Sequence, residues 1–481
     1  QVPEQSKENA GFNYDSQIRG PTQKFKEYKY PSLKTPVERL SVENISLSIL
    51  IMEIHVNTRG KYYPDPKLDE INAVFYHTNL PTNVSALHNV GVFVNTSSGD
   101  ARKYKQFANE SNFSLTCFQN ELDLLVALVS LVEYLDPDIL SGYELHALSW
   151  GYVIERSKAK YNIDLCQRFS RVVHKQANKV GDRWGYTHAS GIKITGRQMF
   201  NLWRRLRSVL NLNHYTLENV VFHVLHDRLP AYKMETLSKW LKKDFKGPSY
   251  VINYYVSKIK YEMLLIQKLE LVEKINEESQ LLGIDFYSIL YRGSQYKVEC
   301  LLVRLAKSEN FLLVSPSKKQ VFKQDSLECI PLVMEPNSSF YKSPLIVLDF
   351  QSLYPSLIIA YNICYSTALG RLKDYDPQKY TRLGVINYKS PEGLLKLLEN
   401  NINISPNGVV FAKEDIRKSL LAKLLLEILN TRIYIKDTMS NFKDDQELKT
   451  LYGNRQLALK LIANVTSVSY THLTLPTICS V

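Results

Sequence analysis

Hydrophobic and polar positions divide the chain into three regimes. Residues 1–40 are polar and broken by Pro3, Gly20, Pro21, Pro31 and Pro36, the pattern of a linker or peripheral strap. Residues 45–56, ISLSILIMEIHV, are apolar and β-branched, which predicts a buried strand. Residues 120–134, NELDLLVALVSLVEY, predict a helix stopped by Asp136-Pro137. A short strand at 138–140 and a turn at Ser141-Gly142 follow. Strand, helix and strand in this order predict an α/β domain to about residue 270, closed by the amphipathic stretch 250–278. Residues 286–313 read as β-rich, with polar punctuation at Ser315-Pro316-Ser317. Another buried strand is predicted at 345–350, and two long helices at 417–439 and 445–464, joined around 440–444. The expected fold class is α/β multidomain: an α/β domain, a mixed domain and a helical hairpin.

Composition narrows the class. With 44% hydrophobic and 22% charged residues over 481 positions, the chain can bury several cores and is neither disordered nor fibrous. Its six cysteines, at 117, 166, 300, 329, 364 and 479, contain no CxxC pair and no zinc-type spacing. A disulfide framework or structural zinc is therefore not expected, and a reducing compartment fits best. No apolar run reaches the roughly 18 residues of a membrane span. The net charge of +12 calls for an acidic partner, and it is uneven. Between residues 154 and 209, thirteen Lys and Arg face three acids, interleaved with Tyr161, Phe169, Trp184, Tyr186 and Trp203. That pattern suits a surface that grips phosphates and stacks bases, and equally a solvated basic face that binds nothing.

The strongest chemical signal lies at residues 343–367, SPLIVLDFQSLYPSLIIAYNICYST. A carboxylate at the end of a buried strand, Asp349, is costly unless a divalent cation or a helix start offsets its desolvation. The amides at Ser352, Leu353 and Tyr354 could hold a phosphate beside such a cation. DFQSLYPSLI resembles the first polymerase motif of the family B DNA polymerases, D-F-x-S-L-Y-P-S-[IL]-[IM], and agrees at every specified position. The resemblance implies that Asp349 binds the catalytic Mg2+ ions, that Phe350 offers its carbonyl, and that Tyr354 packs under the sugar and excludes a 2′-hydroxyl. The implied chemistry is two-metal nucleotidyl transfer from a dNTP onto primer-template DNA.

Arg432 and Lys436 lie four apart on the first long predicted helix, and Lys460 and Asn464 repeat that spacing on the second. If the helices are antiparallel, three cations and an amide converge on one anion; on spacing alone, solvent-facing charged stripes are the better reading. RKSLLAKLLLEILNTRIYIK and RQLALKLIAN resemble the two fingers motifs of the same family, which makes these four residues triphosphate ligands. Ser419 and Ala422 replace the family's Gly and Pro. Asn464 is followed by Val465-Thr466-Ser467-Val468 where the family has N-S-x-[YF]-G. Residues 467–481 carry no charge and are expected to be foreign sequence.

Upstream, the family usually carries a 3′–5′ exonuclease of RNase H-like fold with four metal-binding acids. Its first motif, D-x-E, aligns with Glu53 and His55 in LIMEIHV. The second aligns with DPDILSGYELHALS, placing Ser149 at the acid, and the third with YYVSK, placing Lys258 there. A lysine in place of a carboxylate repels metal, so the resemblance implies a retained fold without proofreading. Similarity to a translesion branch with a degenerate exonuclease extends over roughly residues 40–466, and its RGSQ turn implies template contacts from Arg292, Gly293 and Gln295.

The expected organisation is a strap (1–44), an exonuclease-like domain (45–270), a connecting segment (271–314), part of a palm (315–383), fingers (384–466) and the tail (467–481). The second polymerase carboxylate motif, the thumb and the cysteines of a 4Fe–4S cluster fall outside the sequence, so the chain reads as a fragment inactive alone. The resemblance further implies a nuclear protein partnered by a HORMA-domain subunit and replication-type accessory subunits. The competing expectations are a replicative, proofreading branch of the family and a non-catalytic nucleic-acid-binding scaffold.

Overall fold

The computed structural model describes residues 47–480, apart from 81–88, 97–103, 105–112, 173–191, 243–245, 314–316, 318, 320–333, 351, 373–380, 384–385, 389–390, 442–445 and 473–477. The expected strap at 1–44 lies outside the described residues. The chain divides into two compact units, Arg39–Glu273 and one containing Lys274–Val481. No helix among the described residues is long and apolar enough to cross a membrane.

The first unit is built on a six-stranded sheet. Its strands are β1 (Ile49–Val56), β2 (Ile71–Thr78), β3 (Val90–Asn95), β4 (Ser114–Phe118), β5 (Ile139–Gly142) and β6 (Gln198–Asn201), in the order β4-β3-β2-β1-β5-β6. β1 pairs antiparallel with β2 and parallel with β5, which places it inside the sheet. All eight of its residues are buried, as its unbroken apolar pattern requires. Alternation sends Leu50, Met52, Ile54 and Val56 into one core with Leu124, Leu128 and Val132 of α1 (Glu121–Leu135) and Trp150 and Val153 of α2 (Trp150–Tyr161). Glu53 and His55 consequently point to the opposite face. There α6 (Gly247–Lys268) packs, after α3 (Leu202–Val209), α4 (Leu217–Leu225) and α5 (Met234–Leu241).

Turn chemistry agrees with the predicted stops. α1 ends at Asp136, which adopts a left-handed φ of 41° before Pro137. The predicted single stretch 250–278 is instead two helices, α6 and α7 (Leu271–Leu282), because Glu270 turns left-handed at φ 49°.

Three cations from the basic segment 154–209 are consumed internally. Arg156 is buried and pairs with Glu121 at 2.9 Å. Arg171 and Arg197 both bind Asp136 at 2.8 Å. The Asp136 carboxyl is accordingly held below its usual range, chiefly by the Arg171 hydrogen bond and against burial. These three residues clamp the domain rather than face a partner. Lys175, Lys179, Arg183, Trp184 and Tyr186 lie outside the described residues.

In the second unit, residues 286–313 are helical, contrary to the β-rich expectation. α8 (Phe286–Tyr291) is capped by Asp285, whose carboxylate accepts from the Ser288 amide at 2.9 Å. α9 (Ser294–Ser308) buries Val298, Leu302, Leu305 and Ala306, a stripe at helical spacing. Only β7 (Phe311–Leu313) is extended. Helix α10 (Leu353–Ala360) precedes β8 (Ala368–Arg371), the β9–β10 hairpin (Thr381–Leu383, Ile386–Tyr388), β11 (Ile402–Ile404) and β12 (Val409–Ala412). β11, β12 and β8 form an antiparallel sheet. The two predicted long helices are α11 (Leu420–Asn441) and α12 (Gln446–His472), which pack on each other and on α9. Within the tail expected at 467–481, α12 continues to His472, and β13 (Ile478–Ser480) pairs with β7.

The buried strand expected at 345–350 is not formed. Residues 345–350 form no regular element and pair with no strand among the described residues, with Ile346 84% and Leu348 90% exposed. An apolar strand is buried only when neighbours complete its ladder, and none does so among the described residues.

Candidate functional site

In the first unit the four positions aligned with exonuclease acids converge around the second half of β1. Glu53 is 2% exposed and both its oxygens are engaged. The Tyr143 amide donates to Oε1 at 2.9 Å, and the Lys258 ammonium donates to Oε2 at 2.7 Å. Ser149, fully buried at the start of α2, donates its hydroxyl to the Met52 carbonyl at 2.6 Å. Gly142 makes that approach possible, since a Cβ there would sit 2.5 Å from the Ser149 hydroxyl. His55 contacts the Tyr255 hydroxyl at 3.2 Å through Nδ1 and the Asn57 side chain at 3.3 Å through Nε2.

Glu262, one turn beyond Lys258 on α6, completes the cluster and escaped the sequence reading. It is fully buried, close to the Glu53 carboxyl and the Tyr143 backbone. Burial, then the nearby Glu53 charge, holds the Glu262 carboxyl well above the usual carboxylate range. Burial opposes the Lys258 charge, yet the Glu53 and Glu262 carboxylates outweigh it and hold the ammonium above its ordinary range. One positive charge thus neutralises the pocket from within. Among the described residues no group of three His, Cys, Asp or Glu side chains converges to hold a metal ion. The donor set here does not fit a divalent cation: an ammonium, an imidazole and a hydroxyl stand at three of its positions, and Glu53 is already held by Lys258.

His55 carries a pH dependence. Burial lowers its pKa to about 4, against the raising effect of the Asn57 contact. Below pH about 6.5 the unfolded chain takes up a proton that the folded chain refuses, so stability falls as pH drops toward 4. About 1.6 kcal/mol should be lost between pH 6.5 and 5, because the full slope of about 1.4 kcal/mol per unit is reached only below pH 6. Urea unfolding of the wild type and His55→Gln at both pH values checks this; an equal acid loss in the variant would exclude His55 as its source.

In the second unit Asp349 and Phe350 are exposed and lie just before α10. Asp349 makes no hydrogen bond or ion pair among the described residues. One hard carboxylate and a backbone carbonyl fit a magnesium ion that keeps most of its own waters. Ser352 stands at φ 54° and begins α10, so the amides of Leu353 and Tyr354 lie in the first turn, without intrahelical acceptors. The Tyr354 side chain is 65% exposed.

Arg432, Lys436, Lys460 and Asn464 sit on the α11–α12 hairpin. Arg432 donates to the Gln456 side chain at 2.9 Å, which fixes the register of the two helices. From that rung, 1.5 Å per residue sets Lys436 about 6 Å toward the turn, and Lys460 and Asn464 about 6 and 12 Å the other way. The four therefore form a row along the hairpin, with Lys436, Lys460 and Asn464 exposed. Ser419, where the resemblance has Gly, caps α11 by accepting from the Ala422 amide at 3.0 Å. Arg292 and Gly293 link α8 to α9; the Arg292 guanidinium lies 5.4 Å from the Tyr296 ring centre, and Gln295 binds Glu299 at 3.0 Å.

Two family models match this chain: the DNA polymerase family B exonuclease domain over residues 20–220 and DNA polymerase family B over residues 284–474. The chain belongs to the family B DNA polymerases. The DNA polymerase zeta catalytic subunit of Saccharomyces cerevisiae is 46% identical over 430 residues, covering 88% of this chain and 28% of that protein. The zeta catalytic subunit of Homo sapiens is 38% identical over 94% of this chain and 15% of its own length. A DNA polymerase delta catalytic subunit from Oryza sativa is 29% identical over 72% of this chain and 30% of that protein. The chain thus spans about 28% of the yeast relative's length. The family B DNA polymerase of Pyrobaculum calidifontis shares the fold, with a TM-score of 0.58 and 21% identity over 87% of this chain and 46% of that one. The family B assignment and the mixed α/β fold agree with the motifs at residues 349–358 and 139–149.

Proposed function

We propose that the chain is the exonuclease-like, partial palm and fingers portion of a zeta-type DNA polymerase catalytic subunit. The observation that carries this reading is the combination of an intact D-F-x-S-L-Y-P-S motif at Asp349–Ser356 with an exonuclease fold closed by the Glu53–Lys258 pair. A replicative branch needs the acids that His55, Ser149 and Lys258 replace. The higher identity to zeta than to delta catalytic subunits supports the same choice. On this reading the domains are 45–270, exonuclease-like; 315–383, palm; and 384–466, fingers.

The reaction is template-directed nucleotidyl transfer without proofreading. Bound magnesium supplies charge neutralisation at the transferring phosphoryl group. Asp349 and the Phe350 carbonyl would hold it. Tyr354 packs beneath the sugar and excludes a 2′-hydroxyl, while Arg432, Lys436, Lys460 and Asn464 draw the triphosphate along the hairpin. Arg292, Gly293 and Gln295 face the template. A nuclear location, a HORMA-domain subunit, replication-type accessory subunits and a 4Fe–4S cluster belong to the full-length polypeptide on this reading.

Primer extension by the full-length polypeptide tests the proposal. Addition of the template-complementary dNTP is expected, and Tyr354→Ala should admit ribonucleotides that the wild type refuses. Failure of the wild type to extend any primer would sink it.

A further inference from the structure

We infer that Asn362 is a positioning residue that locks the helix carrying Tyr354 to the helix carrying Arg432 and Lys436. Its functional consequence rests on the polymerase reading above; the joint itself does not. Asn362 follows α10, is 3% exposed and holds a left-handed φ of 54°. Its amide nitrogen donates to two backbone carbonyls, Ala412 at the end of β12 and Arg417 before α11, both at 2.8 Å. Its carboxamide oxygen accepts from the Ser419 amide at 3.0 Å, at the cap of α11. The Asn362 carbonyl in turn accepts from the Thr367 hydroxyl at 2.7 Å.

One side chain therefore joins the end of α10, the end of β12 and the start of α11. Asparagine suits the place for three reasons. It tolerates the left-handed backbone, presents two donors and one acceptor in one plane, and is short enough to reach all three partners. Aspartate keeps the acceptor but turns a carboxylate toward two carbonyls. Glutamine moves the carboxamide outward by a methylene.

The leverage follows from helix geometry. Tyr354 lies eight residues before Asn362, and Arg432 thirteen residues after Ser419, which is about 20 Å along α11. A tilt of about 5° at the joint moves the Arg432 end by roughly 2 Å over that length. Displacements near 1 Å are enough to spoil reacting geometry. Sugar selection at Tyr354 and triphosphate binding on the hairpin are thereby coupled through a residue that touches neither.

The test compares the full-length wild type with Asn362→Asp, Thr367→Val and Ser419→Ala. Asn362→Asp should raise the KM for the correct dNTP about tenfold and reduce discrimination against ribonucleotides, with primer-template affinity unchanged. Thr367→Val, which removes a single bond to the joint, should move both quantities the same way by a smaller factor. Ser419→Ala, which removes the helix cap and the Ser419 hydroxyl's contact with the Ile363 carbonyl but leaves the amide that Asn362 accepts from, should raise the KM by a smaller factor than Asn362→Asp. A folded Asn362→Asp with KM and ribonucleotide discrimination within twofold of wild type overturns the inference. So does a Thr367→Val enzyme without any shift, which decides the matter if the Asn362 variant does not fold. Should the wild type add no nucleotide, the polymerase reading fails, and amide exchange decides the joint alone. Ser419 N–H must be protected in the wild type and exchange faster in Thr367→Val; an unprotected amide contradicts it.

Discussion

Replacing Asp349 with Asn in the full-length polypeptide is expected to lower the rate of nucleotide addition about a thousandfold. The substitution keeps shape and hydrogen-bonding capacity but removes the negative charge on which a hard cation depends. Metal-borne charge stabilisation at a phosphoryl group is worth several kcal/mol, and about 1.4 kcal/mol is one decade in rate. Asp349 is exposed and bonds to nothing among the described residues, so folding should not change. Single-turnover incorporation, with the unfolding midpoint as control, reads both effects. A loss smaller than tenfold would remove Asp349 from the metal site.

The second large effect concerns stability. Lys258→Met should destabilise the first unit by about 3–5 kcal/mol, because it strands the buried Glu53 charge beside a second buried carboxyl, Glu262. Neutralising both partners, Glu53→Gln with Lys258→Met, should recover most of that loss. The Tyr143 amide keeps an acceptor, and a buried ion pair replaced by neutral groups is often no less stable. Urea unfolding of the two variants measures the difference. Equal stability of the single and double variants would show that the pair is not the charge balance of this pocket.

Much of this architecture was legible locally. The unbroken apolar run of β1, the Asp136-Pro137 stop and the two long helices α11 and α12 each follow from short-range pattern, because each element is specified by its own periodicity. Residues 286–313 were misread: they carry only three β-branched residues, Ile289, Val298 and Val303, and the 298–302–305 stripe that packs α9 is the signal of a helix. The segment 345–350 was misread for a different reason: burial belongs to the whole sheet, not to the strand. The sites divide in the same way. Glu53, His55, Ser149 and Lys258 could be aligned with motifs, but the pairing of Glu53 with a residue 205 positions away is a product of the fold. Glu262 left one signal, its spacing of four from Lys258, which by itself marks only a shared helix face. Asn362 left none, since its partners at 412, 417 and 419 are distant in sequence and are backbone atoms.

The central proposal is that this exonuclease-like fold, with Lys258 paired to Glu53, does not proofread. A 5′-labelled primer with a mismatched 3′ end, incubated with the full-length polypeptide and magnesium, tests it most directly. The primer should keep its length without dNTPs and be extended from the mismatch when they are added. Metal-dependent shortening from the 3′ end, abolished by Glu53→Ala, would contradict the account.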